Sequence, residues 1–128
     1  MKISHIAMWA KDIDKLKDFY VKYFAATPNK KYINEQKGFS SYFLTFPDSC
    51  CRLEIMHKSS IPESSEYVFP QYIGLIHIAI SVGSEHKVEE LTARLALDGY
   101  TIVEEPRKDG YFESVVLDPE NNRLELTI

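Results

Sequence analysis

Hydrophobic positions along the chain follow two periods, every second residue or every third to fourth, and the order of these periods occurs twice. Ile3 to Trp9 is apolar and strand-like. Asp12 is placed to cap a helix that carries Ile13, Leu16, Phe19, Tyr20 and Tyr23 at helical spacing. Strands are predicted over Thr27–Ile33, Ser41–Phe46 and Arg52–His57. In the second half, Leu75–Val82 predicts a strand and Ser84 a helix cap. Val88, Leu91, Leu95 and Leu97 form the apolar stripe of that helix, and Gly99 stops it. Strands then fit Tyr100–Glu105, Glu113–Leu117 and Arg123–Ile128. The turns Pro47-Asp48-Ser49 and Asp118-Pro119-Glu120-Asn121-Asn122 hold the residues that tight hairpins need.

Each half therefore reads strand, helix and three strands, and the residues themselves repeat. Ser4-His5-Ile6-Ala7-Met8 is answered by Ile76-His77-Ile78-Ala79-Ile80, and Arg52-Leu53-Glu54-Ile55 by Arg123-Leu124-Glu125-Leu126. His5 and His77 lie 72 positions apart, as do Pro47 and Pro119, while Glu54 and Glu125 lie 71 apart. One extra residue in the Cys50 turn accounts for the difference. The expectation is an α+β chain of two βαβββ modules in a single domain, 1–128. Module one covers about 1–57, a polar, proline-punctuated linker 58–72, and module two about 73–128.

Alternation along a strand puts every second side chain on one face. His5 shares a face with Ile3, Ala7 and Trp9, and His77 with Leu75, Ala79 and Ser81. Leu53, Ile55, Leu124 and Leu126 line the apolar face of the closing strands, which leaves Glu54 and Glu125 on the other. Each module thus aims one His and one Glu at the same side of its sheet, with an alanine two residues after each His to leave room. A carboxylate buried in an apolar strand is costly unless it is paired or bound to a metal. Two imidazoles with two carboxylates suit a borderline divalent ion such as Zn, Ni, Co, Mn or Fe. His5, Glu54, His77 and Glu125 are accordingly the expected metal ligands.

Composition narrows the class. Apolar residues make up 45% and charged residues 27%, the balance of a globular domain, and the net charge of −4 with scattered Lys and Arg argues against a nucleic-acid partner. The N-terminal apolar stretch is cut short by Lys11 and Asp12, and no stretch reaches membrane-spanning length, so a cytoplasmic protein without a leader or membrane partner is expected. Cys50 and Cys51 are neighbours that could close only a strained ring, and are expected as reduced thiols. His57 falls on the face opposite Glu54, and His86 on a solvated helix start. Tyr42 and Phe112 are candidates to line a pocket. Lys108-Asp109-Gly110-Tyr111 reads as a mobile loop placed to cover the site, as does the linker.

The chain resembles the vicinal oxygen chelate superfamily, and within it the glyoxalase I-like proteins. The resemblance rests on His5-Ile6-Ala7, Arg52-Leu53-Glu54-Ile55, Ile76-His77-Ile78-Ala79-Ile80 and the final Asp118-Pro119-Glu120-Asn121-Asn122-Arg123-Leu124-Glu125-Leu126. It implies the glyoxalase/bleomycin resistance fold, with His5, Glu54, His77 and Glu125 filling all four ligand places. It also implies a lyase or isomerase whose metal chelates a small substrate such as a 2-oxoaldehyde–thiol adduct, stabilising an enediolate while a glutamate, Glu125 first and Glu54 second, moves the proton. Extradiol dioxygenases and fosfomycin-resistance thiol transferases are less similar, since they use two His and one Glu.

An epimerase of the same fold, or a non-catalytic small-molecule binding or resistance protein, is the alternative. Glutathione-dependent bacterial relatives carry an arginine where this chain has Trp9 and an asparagine where it has Lys58, which argues against glutathione as the thiol. Small members of the family share their sites between subunits, so a homodimer is expected.

Overall fold

The computed structural model describes residues 1–63, 71 and 73–128, with residue 109 described by its backbone alone. Residues 64–70 and 72 of the expected linker lie outside the described residues. The chain divides into two compact units, Met1–Ser65 and Glu66–Ile128, and each is built in the same order.

In the first unit, strand β1 (His5–Trp9) leads into helix α1 (Ile13–Phe24), and the chain returns through β2 (Thr27–Pro28), β3 (Tyr32–Asn34), a 3-10 turn (Glu35–Lys37), β4 (Phe39–Thr45) and β5 (Arg52–Lys58). The sheet runs β1-β5-β4-β2, with β3 also on β4. β1 and β5 are parallel, and the other pairs antiparallel. Asp12 caps α1 as expected, its carboxylate accepting from the Lys15 amide at 2.9 Å. Leu16, Phe19 and Tyr20 of α1 are buried, as are Leu44, Leu53 and Ile55 on the sheet. Each aliphatic side chain so removed from water contributes about 1.5–3 kcal/mol before the entropy of ordering is subtracted.

In the second unit, β6 (Ile78–Ser81), α2 (Glu85–Leu97), β7 (Ile102–Asp109), β8 (Tyr111–Leu117) and β9 (Arg123–Thr127) give a sheet of order β6-β9-β8-β7, again with its first and last strands parallel. The Ser84 hydroxyl caps α2 by accepting from the Lys87 amide at 3.3 Å. Val88, Thr92 and Leu95 form its buried stripe, facing the buried Val116, Leu124 and Leu126.

Several expectations need correction. The strand expected over Thr27–Ile33 is two short pieces. The Asn29 side-chain oxygen takes the Phe43 amide at 2.8 Å, which interrupts the ladder there. Strand β7 continues past Pro106, which has no N–H to give, by register shifts at Glu104 and Arg107. Gly110 sits in a tight hairpin rather than in an open loop. It is the apex of the β7–β8 hairpin at φ +101°, with Asp109 and Tyr111 paired across it. Leu97 is exposed and Thr92 holds the place on the buried stripe. The strand expected from Leu75 begins only at Ile78, so His77 lies just before it. Among the described residues no helix is long and apolar enough to cross a membrane.

Candidate metal centre

The two sheets present the same local geometry. On the first, Ala7 stands opposite Glu54 in the parallel β1–β5 register, with His5 two residues earlier on the same face. On the second, Ala79 stands opposite Glu125 in the β6–β9 register, with His77 two residues earlier. A methyl group beside each carboxylate leaves the space into which the imidazole and the carboxylate converge. His5 Nε2 lies 3.7 Å from Glu54 Oε2, and His77 Nε2 lies 3.3 Å from Glu125 Oε2. The Glu54 and Glu125 side chains are 17% and 19% accessible and the imidazoles 40% and 37%, so the carboxylates are half-buried rather than enclosed.

These separations suit a metal. Two ligands bound to one ion at about 2.1 Å stand about 3.0 Å apart at a right angle and about 3.4 Å apart at a tetrahedral one. His77 and Glu125 fit that range as they stand, and His5 and Glu54 need to close by a few tenths of an ångström. The donor set of neutral imidazole nitrogen and carboxylate oxygen fits a borderline divalent ion. The structure brings the four expected ligands together as these two pairs. Among the described residues no group of three or more His, Cys, Asp or Glu side chains is placed to hold a metal ion.

Surrounding side chains orient the first pair. His5 Nδ1 faces the Ser4 hydroxyl at 3.5 Å, and the imidazole meets the Phe43 ring edge-on at a centroid distance of 5.4 Å. Phe43 is Glu54's partner on β4, and the Arg52 guanidinium lies 4.4 Å from its ring centre. Phe43 went unnoticed in the sequence. Its parity was readable, because Phe39, Ser41 and Phe43 fall on the Glu54 face once the β4–β5 hairpin is paired.

The other candidates fall elsewhere. Tyr42 does not line this face. It is buried toward α1, where its hydroxyl donates to Asp14 at 2.7 Å. Phe112 alternates with Glu113 and Val115 and so shares the side of buried Ser114 and Val116, away from Glu125. His57 does lie opposite Glu54's face, with Nδ1–H donating to the Ala10 carbonyl at 3.0 Å. His86 is exposed on α2, and Cys50 and Cys51 are free thiols.

Solved structures share this architecture. The chain aligns with glyoxalase I of Zea mays at 18% identity and a TM-score of 0.78, over 98% of this chain and 44% of the maize chain, so it spans less than half of that protein. It aligns with the trypanothione-dependent glyoxalase I of Leishmania major at 22% identity and a TM-score of 0.78, over 99% of this chain and 86% of that one. A mutant of the fosfomycin resistance protein FosX of Listeria monocytogenes, complexed with manganese(II) and a dihydroxypropylphosphonic acid, aligns at 22% identity and a TM-score of 0.73, over 98% of this chain and 90% of that one. At such identities the likeness is one of fold. No curated protein sequence matches the chain at a significant level. Residues 2–126 match the family model described as Glyoxalase/Bleomycin resistance protein/Dioxygenase superfamily, and the chain belongs to that superfamily.

Proposed function

We propose that the chain is a metal-dependent lyase or isomerase of the glyoxalase I kind, acting on a small substrate that offers two neighbouring oxygens. His5, Glu54, His77 and Glu125 would hold one divalent cation per site. The observation that carries this reading is the His–Glu pair set beside an alanine in the same register on both sheets. One isolated pair would be an ordinary edge contact; its recurrence in both modules supports a shared purpose.

A cation bound there supplies Lewis-acid stabilisation of the oxyanion charge that develops on the substrate. The proton is the task of the protein. Glu125 takes it from the carbon beside the substrate carbonyl and returns it to the neighbouring carbon, with Ala79 leaving the carboxylate room to move. Glu54 holds the equivalent place in the first module and is the second choice.

Trp9 and Lys58 support a thiol adduct other than that of glutathione. The Leishmania relative, which is trypanothione-dependent, is a precedent for another thiol on this fold.

Protein reloaded with zinc or nickel should bind about one ion per site, and His77→Ala should abolish it. Elemental analysis showing no metal in the unsubstituted chain would end the proposal. Loaded protein is then assayed against methylglyoxal with several thiols. Glu125→Gln is expected to lower turnover by about 10²–10⁴-fold, the usual worth of a positioned base. With glutathione turnover should be weak, and a kcat/KM on the order of 10⁶ M⁻¹s⁻¹ would overturn the reading of Trp9.

A further inference from the structure

We infer that the first module holds the tail of its substrate on an aromatic ledge of Trp9, Phe39 and Tyr32, and that this tail is a flat apolar group ending in an anion beside Lys58. The inference deepens the proposed function and rests on it for the identity of the reacting end alone.

The ledge lies on the face that carries His5 and Glu54. Trp9 follows His5 by four residues on β1, and Lys58 follows Glu54 by four on the neighbouring parallel strand β5. At about 3.3 Å per residue along a strand and about 4.8 Å between strands, Trp9 stands roughly 13 Å from His5 and roughly 8 Å from Glu54, and Lys58 roughly 13 Å from Glu54. The register places Trp9 opposite Met56, Met56 opposite Ser41 and Ser41 opposite Tyr32, so one row crosses the sheet with a half-buried methionine and a small buried serine between the two rings. Phe39 stands in the next row and meets both rings, Trp9 in a T-shape at 6.2 Å and Tyr32 tilted at 6.1 Å.

Trp9 is nevertheless 43% accessible and Tyr32 52%. Apolar side chains scattered singly over a surface mean little, whereas touching aromatic rings on one face mark a binding surface. Lys58 pairs with Phe39 in the β4–β5 register, is half-buried, and forms no ion pair among the described residues. A cation at the edge of an aromatic surface selects a ligand that is flat and apolar along its body and anionic at its end. Trp9 can stack on such a body but cannot grip a carboxylate by two parallel hydrogen bonds, as an arginine there would.

The test uses the full-length chain with biphenylcarboxylate as the probe and glutathione as the contrast, followed by calorimetry and by the emission of Trp9, the chain's one tryptophan. Titrations are run with EDTA present and repeated on His5→Ala, so the ledge and the metal reading can fail separately. The probe should bind saturably and shift the Trp9 emission, and glutathione should not. Trp9→Ala should weaken the probe by about tenfold, 1.4 kcal/mol, with Trp9→Phe restoring most of it. Lys58→Met should weaken the acid but leave biphenylmethanol unchanged, a split that mere loss of structure would not produce. Equal binding to Trp9→Ala and the unsubstituted chain would overturn the inference. So would a change in sedimentation of Trp9→Ala with no effect on the probe, because the ledge would then be covered by a second copy of the chain.

Discussion

At the scale of single residues, a charge cluster in the first module lies behind its sheet rather than on the face of His5 and Glu54. Asp14 accepts from Lys31 Nζ at 2.6 Å and from the Tyr42 hydroxyl at 2.7 Å. The Lys31 hydrogen bond first, and that of Tyr42 second, hold the Asp14 carboxyl below its ordinary 3.8. The unfolded chain therefore takes up that proton at higher pH than the folded one. Stability from Asp14 is complete above 3.8 and is lost as pH falls through the lower, folded value.

Tyr42 behaves in the opposite sense. Its hydrogen bond to Asp14, and then burial, raise it above 10.0, so its contribution is complete below 10.0 and is lost as pH rises through the folded value. Asp14→Asn should cost less than about 1 kcal/mol at neutral pH, since the carboxylate is half exposed to solvent, and should flatten the acid limb of a urea-midpoint profile against pH. An unchanged acid limb would remove Asp14 from this account. The cluster was not legible in the sequence, because Asp14 on α1, Lys31 just before β3 and Tyr42 on β4 meet only through tertiary packing. The approach of His5 to Glu54 and of His77 to Glu125 was legible because the sequence repeats the same spacing around β1 and β5 and around β6 and β9, although His77 lies just before β6.

At the scale of elements, buried polar contacts decide how each helix is fastened. Thr92 Oγ1 donates to the Val88 carbonyl at 2.6 Å and lies 2.7 Å from Ser114 Oγ, which must then be the donor in that pair. Both residues are buried between α2 and β8. Ser114→Ala leaves the Thr92 hydroxyl its carbonyl partner, so the loss should be modest, below about 1 kcal/mol. Thr92→Val strands the Ser114 hydroxyl away from water and should cost about 1–3 kcal/mol. Chemical denaturation of the two variants checks the asymmetry, and equal losses would contradict it.

Helix α1 ends on Ala25 at φ +52°, a left-handed conformation that a Cβ disfavours, and its side chain is exposed. Ala25→Gly should therefore stabilise the chain by about 0.5 kcal/mol or more, read as a higher urea midpoint. The helix starts were legible because Asp12 and Ser84 bond amides three residues away. The strand ends were harder to read. Pro106 looks like a terminator, yet β7 passes it by register shifts, and Asn29 breaks a strand through a side-chain bond whose partner, Phe43, is 14 residues away.

At the scale of the whole molecule, the consequence of the repeat is stoichiometric. Each module carries one neighbouring His–Glu pair, which under the proposed function is half of a four-ligand set. A complete site needs one copy of each module. Both can come from one chain, or the first module of one chain can join the second module of another, giving a twofold dimer with two shared sites. The proposal is the homodimer. Mixing subunits separates the two arrangements without reference to activity. Chains carrying His5→Ala are combined with chains carrying His77→Ala, exchanged under mild denaturant, and reloaded with zinc. Alone, each variant loses a ligand from every site and should bind weakly. In a mixed dimer with shared sites, the intact second module of the His5→Ala chain meets the intact first module of the His77→Ala chain, which makes one whole site. The opposite pairing joins the two damaged modules, so a purified mixed dimer recovers half of the full metal content. If each chain closes its own site, every site keeps its defect and mixing restores nothing, which would rule out the shared dimer while leaving the four ligands in place.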